Sequence, residues 1–100
     1  MSKRGFEQEL AEEYLQACMG VSKCGGYTRL SNSKEEIRNG LLEKHANNGN
    51  GKRVARLLRI YQGAVFGFLE PRAGRERFWT WPEKYDGEIR ERINTALQST

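Results

Sequence analysis

Cationic side chains that can bind phosphate are concentrated in one quarter of the chain. Residues 52–77 contain seven cations and two carboxylates, a net charge of +5, whereas the whole protein of 100 residues carries +4. Six of the seven are arginines, whose guanidinium groups stay charged and bind phosphate oxygens with two parallel hydrogen bonds. A positive field confined to one segment favours a polyanion, most often nucleic acid. The predicted nucleic-acid-binding residues are Lys52, Arg53, Arg56, Arg59, Arg72, Arg75 and Arg77.

Other reactive residue types do not form a recognisable site. Cys24 and His45 have the chemistry of a nucleophile and its base, but nothing in the sequence fixes them near each other. Cys18 and Cys24 are separated by five residues, which matches no common zinc pattern. We expect two partly buried thiols, with a local disulfide as the alternative. The sequence therefore predicts no enzymatic activity, no metal site and no cofactor.

The elements that must position the cations begin with two helices. Apolar residues at every fourth position predict a first helix over about 5–19, which a stretch with three glycines, 20–26, would end. Ser33 and Glu36 have the spacing of a capping box, in which each side chain bonds the other residue's backbone amide. The sequence therefore predicts a second helix that starts after Ser33 and ends near Ala46.

The basic segment itself fits a helix better than a strand. At 100° per residue, the apolar side chains of 52–62 share one face and the arginines lie on the opposite face. Read as a strand, each face would mix charged and bulky apolar residues. We therefore expect a third helix over about 52–62, and a strand over 53–61 is the alternative. The apolar face consists of Val54, Leu57, Leu58 and Tyr61.

After Gly63 the pattern becomes typical of a β-hairpin. Residues 64–70 and 75–81 are rich in aromatic and β-branched side chains, and a Pro-Arg-Ala-Gly turn joins them. Phe78 lies on the opposite ribbon face from the two tryptophans, so we expect it to contact a partner protein or a second copy. Asp86 is predicted to cap a last helix over about 87–98. Its apolar stripe is Ile89, Ile93, Ala96 and Leu97.

The order of elements predicts an α+β fold in a single domain over 1–100. The predicted order is three helices, a hairpin and a last helix, and its middle elements have the order of a winged helix-turn-helix. This is an analogy of architecture, and no residue signature supports it. The third helix would then lie in a DNA groove, and the hairpin would contact neighbouring phosphates. The alternative is two helices, a three-stranded antiparallel meander over 53–61, 64–70 and 75–81, and a C-terminal helix.

Together these features predict a small, non-enzymatic DNA-binding regulator of transcription. DNA is favoured over RNA as its partner, and the regulator is expected to form a homodimer. The alternative is a protein-binding inhibitor of phage or mobile-element type, anti-CRISPR-like, that occludes a nucleic-acid-handling complex. The longest apolar stretch, Gly63 to Leu69, is far shorter than the roughly 20 residues that cross a bilayer, and no secretory segment is evident. We therefore expect a cytoplasmic location and no membrane partner.

Overall fold

The computed structural model describes residues 3–47, 49–76 and 79–99, with side chains from Gly5 onward. Within these ranges the chain forms four α-helices and no strand. The winged-helix prediction and the meander alternative both require strands, so both are wrong. The helices are α1 (Lys3–Asn32), α2 (Lys34–His45), α3 (Gly51–Ala73) and α4 (Glu83–Gln98).

Helix α1 is longer than predicted because its glycines do not end it. Gly26 has φ 71° and ψ −161°, a conformation that only glycine adopts readily, and the helix is kinked there instead of terminated. Beyond the kink, Tyr27 and Leu30 are buried in the core. Burial of apolar side chains on both sides of the kink therefore decides the length of the helix. The buried residues before the kink include Leu10, Tyr14, Leu15 and Cys18.

The capping box predicted at the start of α2 does not form. The backbone amide of Ser33 donates to the carbonyl oxygens of Arg29 and Leu30, both at 3.1 Å, so it already belongs to the last turn of α1. It is therefore not free to receive the carboxylate of Glu36, and the Ser33 side chain makes no capping hydrogen bond. The predicted end of α2 is confirmed within one residue, since the helix ends at His45.

Helix α3 occupies both the predicted third helix and the first predicted strand. The helix over 52–62 is confirmed, but it continues through Gly63 and Gly67 to Ala73. The buried side chains after Gly63 continue the helical spacing of those before it, and burying this longer stripe outweighs about 1 kcal/mol of helix propensity lost per glycine. The stripe comprises Val54, Leu57, Leu58, Tyr61, Val65, Phe66, Phe68, Leu69 and Ala73.

The described part of the second predicted strand is an irregular connection between α3 and α4. It is anchored by Trp79, which is buried against the ring of Tyr27 at 6.1 Å and stacked on the ring of Tyr85 at 6.3 Å. Trp79 is thus a core residue. The roles predicted for Arg77 and Phe78 fall outside the described residues.

Helix α4 begins at Glu83, directly after Pro82, and so starts earlier than predicted. Asp86 therefore lies in its first turn instead of at the cap, and its carboxylate accepts a hydrogen bond from Arg90 at 3.0 Å. Of the predicted apolar stripe, Ile89 and Ile93 are buried, and the other two residues are partly buried. The stripe is correct although the start of the helix is not.

The contacts between helices fix their directions. Arg38 of α2 donates to Gln62 of α3 at 3.2 Å, and Lys34 lies 5.6 Å from the ring of Phe66. Earlier residues of α2 thus face later residues of α3, and the two helices are antiparallel. The helices of a helix-turn-helix cross at about 90–120°. The α2–α3 pair therefore lacks the geometry on which the predicted groove docking of the basic helix was based.

Helix α3 lies at the centre of the fold and packs against each of the other three helices. It runs parallel to α1, since the ring of Tyr14 contacts that of Tyr61 and the ring of Tyr27 contacts that of Phe66. None of the helices in the described ranges combines the length and the apolar character required to cross a membrane. The central position of α3 leaves only its outer face exposed to solvent.

Candidate nucleic-acid interface

The outer face of α3 carries a row of exposed cations, Lys52, Arg56 and Arg59, which we call the α3 basic row. At 100° per residue these side chains lie within about 60° of one another around the helix axis. At 1.5 Å per residue they extend over about 10 Å along it. None of the three takes part in an ion pair with any residue that the structure describes. Their charge is therefore available to an external partner.

The rotation of α3 about its axis is fixed by the buried face. Val54, Leu58 and Tyr61 are fully buried. The hydroxyl of Tyr61 also donates a hydrogen bond of 2.7 Å to the carbonyl oxygen of Glu7, which ties α3 to the first turns of α1. Burial raises the pKa of Tyr61 above its usual value, so this hydroxyl keeps its proton. The same packing that forms the core thus holds the α3 basic row in solvent.

Arg53 differs from the rest of the predicted basic helix because it contacts α1. Its guanidinium carbon lies 4.9 Å from the centre of the Phe6 ring, and its side chain is only partly exposed. The same ring meets His45 edge-on at 6.3 Å. A cation over an aromatic face is favourable when water is partly excluded. Arg53 therefore contributes to packing at the start of α3 as well as to the local charge.

The N-terminus of α3 begins without a side-chain cap. The side chain of Asn50 instead closes the preceding turn, because Oδ1 accepts from the amide of Asn47 at 2.6 Å and Nδ2 donates to the carbonyl of His45 at 3.3 Å. Gly49 allows this turn through its φ of 86°. The first amides of α3 and the positive end of its dipole lie beside Lys52, and no capping side chain from the described residues bonds them.

The second predicted cluster is not brought together with the first. Arg72 donates to the carbonyl oxygen of Phe68 at 2.7 Å, and its guanidinium lies 3.8 Å from the centre of that ring. Arg56 and Arg72 are separated by about 24 Å along the helix. Arg75 is exposed in the turn after α3, beyond Arg72. Thus the six predicted residues that the structure describes do not form one surface, and the α3 basic row is the part that remains continuous.

The cysteine and histidine considered for catalysis are far apart. His45 contacts the carboxylate of Glu13, which precedes Cys24 by eleven residues, or about 16 Å, on α1. Both cysteines are free thiols, Cys18 buried and Cys24 exposed, so the disulfide alternative is wrong. Burial raises the pKa of the Cys18 thiol to about 12, which makes it a poor nucleophile.

Three ionic contacts that sequence reasoning missed engage two acidic residues of α1. Glu13 pairs with His45 and, at 3.2 Å, with Lys44, and these hydrogen bonds lower the pKa of its carboxyl. Glu12 pairs with Arg90 of α4, 78 positions later in the chain. No sequence pattern links residues so far apart. Both carboxylates are on α1, where they neutralise cations other than those of the α3 basic row.

The described chain thus packs three helices around a central helix, α3, whose exposed face is basic in its first half. In comparisons with known proteins, no family model, no curated protein and no solved structure matches the chain. The function is therefore inferred from this surface.

Proposed function

We propose that this protein binds the phosphate backbone of duplex DNA through the α3 basic row, Lys52, Arg56 and Arg59. The observation that carries the proposal is the row itself: three exposed cations on one face of one helix, with no ion-pair partner among the residues described. Helix α3 contains no carboxylate before Glu70, so no acidic side chain interrupts the row or lies within two turns of it on the same helix.

The dimensions of the row suit a duplex. Each strand of double-stranded DNA carries one phosphate per about 3.4 Å of the axis, so about 10 Å of helix spans about three phosphates of one strand. Two of the three cations are arginines, which can bind phosphate oxygens in bidentate geometry. The uncapped amides at the start of α3 add a partial positive charge beside Lys52. These groups favour phosphate over a carboxylate-bearing surface of lower charge density.

The surroundings of the row favour backbone binding over base recognition. The helices α2 and α3 are antiparallel and do not cross at the angle found in a helix-turn-helix. The structure therefore offers no support for reading base edges in the major groove with α3. Trp79 is buried, and the ring of Phe6 lies under Arg53, so neither offers an open platform for unpaired bases. We therefore propose binding with little sequence preference, by a non-enzymatic protein of the cytoplasm.

The proposal is tested by fluorescence anisotropy with a labelled duplex of mixed sequence at low salt. Arg56→Ala/Arg59→Ala should weaken binding at least about tenfold, since two charge-assisted contacts are lost. The matched control is Lys23→Ala/Arg29→Ala, which removes the same charge from exposed positions of α1.

The control variant should bind within about twofold of the wild type. An equal loss in both double variants would show that binding reflects net charge alone, which contradicts a site on α3. If the wild type binds neither the duplex nor a matched RNA, the proposal is wrong, and an acidic protein becomes the partner to test. Preference for the RNA would contradict the choice of DNA.

A further inference from the structure

A groove between α3 and α4 lies directly beside the basic row and is open to solvent. It encloses about 750 Å³, and its lining combines apolar side chains with charges of both signs. Ile60 and Ala64 on α3 and Ala96 on α4 supply partly exposed apolar surface. The charged residues of the lining are Arg59, Glu88, Glu91 and Arg92. The two carboxylates of this lining would repel a polyanion. The groove therefore suits a partner surface that carries both positive and negative charges.

The charges on the outer face of α3 are arranged so that two copies of this face can attract each other. Arg56 and Arg59 lie in its first half, and the exposed carboxylate of Glu70 lies in its second half. At 100° per residue all three lie within about 60° of one another around the helix axis. When two copies of such a face meet antiparallel, the basic half of each lies over the acidic half of the other. A parallel arrangement would instead oppose like charges.

The middle of the same face has no side chains that would keep another helix away. Gly63 and Gly67 are exposed and one helical turn apart, and a Cβ atom added to either would meet nothing within 4 Å. Neither glycine is therefore required by packing within the chain. Their absence of side chains allows close approach of a second helix at the centre of the face, between its basic and acidic halves.

We propose that a second copy of this chain docks on the α3–α4 face, with the two α3 helices antiparallel about a twofold axis midway between Gly63 and Gly67. In that register Gly63 of each copy faces Gly67 of the other. Arg59 of each copy faces Glu70 of the other, which forms the same ion pair twice. The groove beside Ile60 and Ala64 receives apolar side chains of the second copy, and this burial provides most of the association energy.

This inference does not depend on nucleic-acid binding, but Arg59 belongs to both surfaces. The dimer therefore competes with phosphate for Arg59, and each should weaken the other. The state of association is measured without nucleic acid, so its outcome is separate from that of the binding experiment. Glu70 lies outside the α3 basic row, which makes it the better position for testing the dimer.

The test is sedimentation velocity of the full chain from about 1 to about 200 µM, a range that covers weak dimers. The wild type should dimerise, and Glu70→Arg and Arg59→Glu should each weaken dimerisation at least about tenfold by opposing like charges. The double variant Arg59→Glu/Glu70→Arg restores opposite charges across the axis and should recover the dimer. Gly63→Gln should also weaken it, whereas Gly40→Gln, at an exposed glycine of α2 with equally open surroundings, should not.

Recovery by the double variant supports the proposed register because a general loss of folding cannot produce it. A wild type that stays monomeric at about 200 µM overturns the proposal. A dimer that both single charge reversals leave unchanged also overturns it, since it must then use another face. Circular dichroism of each variant verifies that helical content is retained, and Glu70→Arg should still bind duplex DNA if the α3 basic row does so.

Discussion

Arg90 of α4 donates hydrogen bonds to both carboxylate oxygens of Glu12 of α1, with Nη2 2.8 Å from Oε1. Its Nε atom also donates to Asp86 at 3.0 Å, so one guanidinium joins two acids. Helix α4 packs chiefly against α3, and this ion pair links it to α1 as well. The hydrogen bonds from Arg90 lower the pKa of Glu12 to about 2.

This shift predicts a specific dependence of stability on pH. The carboxyl of Glu12 has a lower pKa in the folded chain than in the unfolded chain, so its contribution is complete above about pH 4.5 and is lost as the pH falls towards 2. Both partners are more than a third exposed, which limits the contribution to about 1 kcal/mol or less. Thermal melts of the wild type and Glu12→Gln should therefore differ at pH 7 and converge in acid.

The exposed carboxyl of Glu9 on the same helix provides the control for this experiment. The melting temperature of Glu9→Gln should stay close to that of the wild type at every pH. A difference between Glu12→Gln and the wild type that remains unchanged down to about pH 2 would contradict an ionic origin.

Two buried tyrosine hydroxyls should respond differently to removal. The hydroxyl of Tyr61 bonds the carbonyl of Glu7, so Tyr61→Phe leaves a carbonyl without that partner and should cost about 1 kcal/mol. The hydroxyl of Tyr14 is buried beside the thiol of Cys18, a weak hydrogen-bonding group, and has no other partner within the described residues. Tyr14→Phe should consequently be neutral or stabilising. Urea unfolding of the two variants measures this contrast, and equal destabilisation would contradict it.

Arg72 should matter for stability and little for nucleic acid. Its guanidinium covers the ring of Phe68 and bonds the carbonyl of the same residue, so Arg72→Ala should destabilise the fold by about 1 kcal/mol. The affinity of the Arg72→Ala variant for duplex DNA should stay within about twofold of the wild type, since Arg72 lies outside the α3 basic row. Urea unfolding and anisotropy together test this. If Arg72→Ala loses as much affinity for duplex DNA as Arg56→Ala does, Arg72 contacts the DNA and this prediction is contradicted.

The continuity of α3 is tested by nuclear magnetic resonance. Because residues 64–70 are helical, their Cα chemical shifts should lie above random-coil values without interruption from 52 to 73. Slow amide exchange should extend through the same segment, since Val65, Phe68 and Leu69 are fully buried. Shifts below random coil over 64–70, with contacts to 79–81, would instead support the hairpin predicted from the sequence.

Local sequence patterns determine some of these helices and leave others open. The end of α2 and the apolar face of 52–62 could be predicted because periodicity and turn residues agreed there. The segment 64–70 could not, since a short apolar run satisfies both helical and strand spacing. The sequence predicts a hairpin that starts after Gly63 and turns at Pro71, but the surrounding helices bury the apolar stripe beside these residues and stabilise a continuous helix.

The candidate site was predicted only in part for a similar reason. The arginines at 56 and 59 follow directly from helical spacing, and their exposure agrees with it. Arg72 could not be recognised as a packing residue, because its contact with Phe68 depends on the helix continuing through the predicted hairpin. Packing decides which cations of a basic segment remain available, and composition alone does not contain that information.

The most direct test of the central claim is the salt dependence of DNA binding by the α3 basic row. Three phosphate contacts predict a slope of about −3 for log affinity against log salt on a duplex, and Arg56→Ala/Arg59→Ala should reduce it to about −1. Lys23→Ala/Arg29→Ala should keep the slope of the wild type. If the slope of the Arg56→Ala/Arg59→Ala variant equals that of the wild type, these arginines do not contact phosphate, and the account is contradicted.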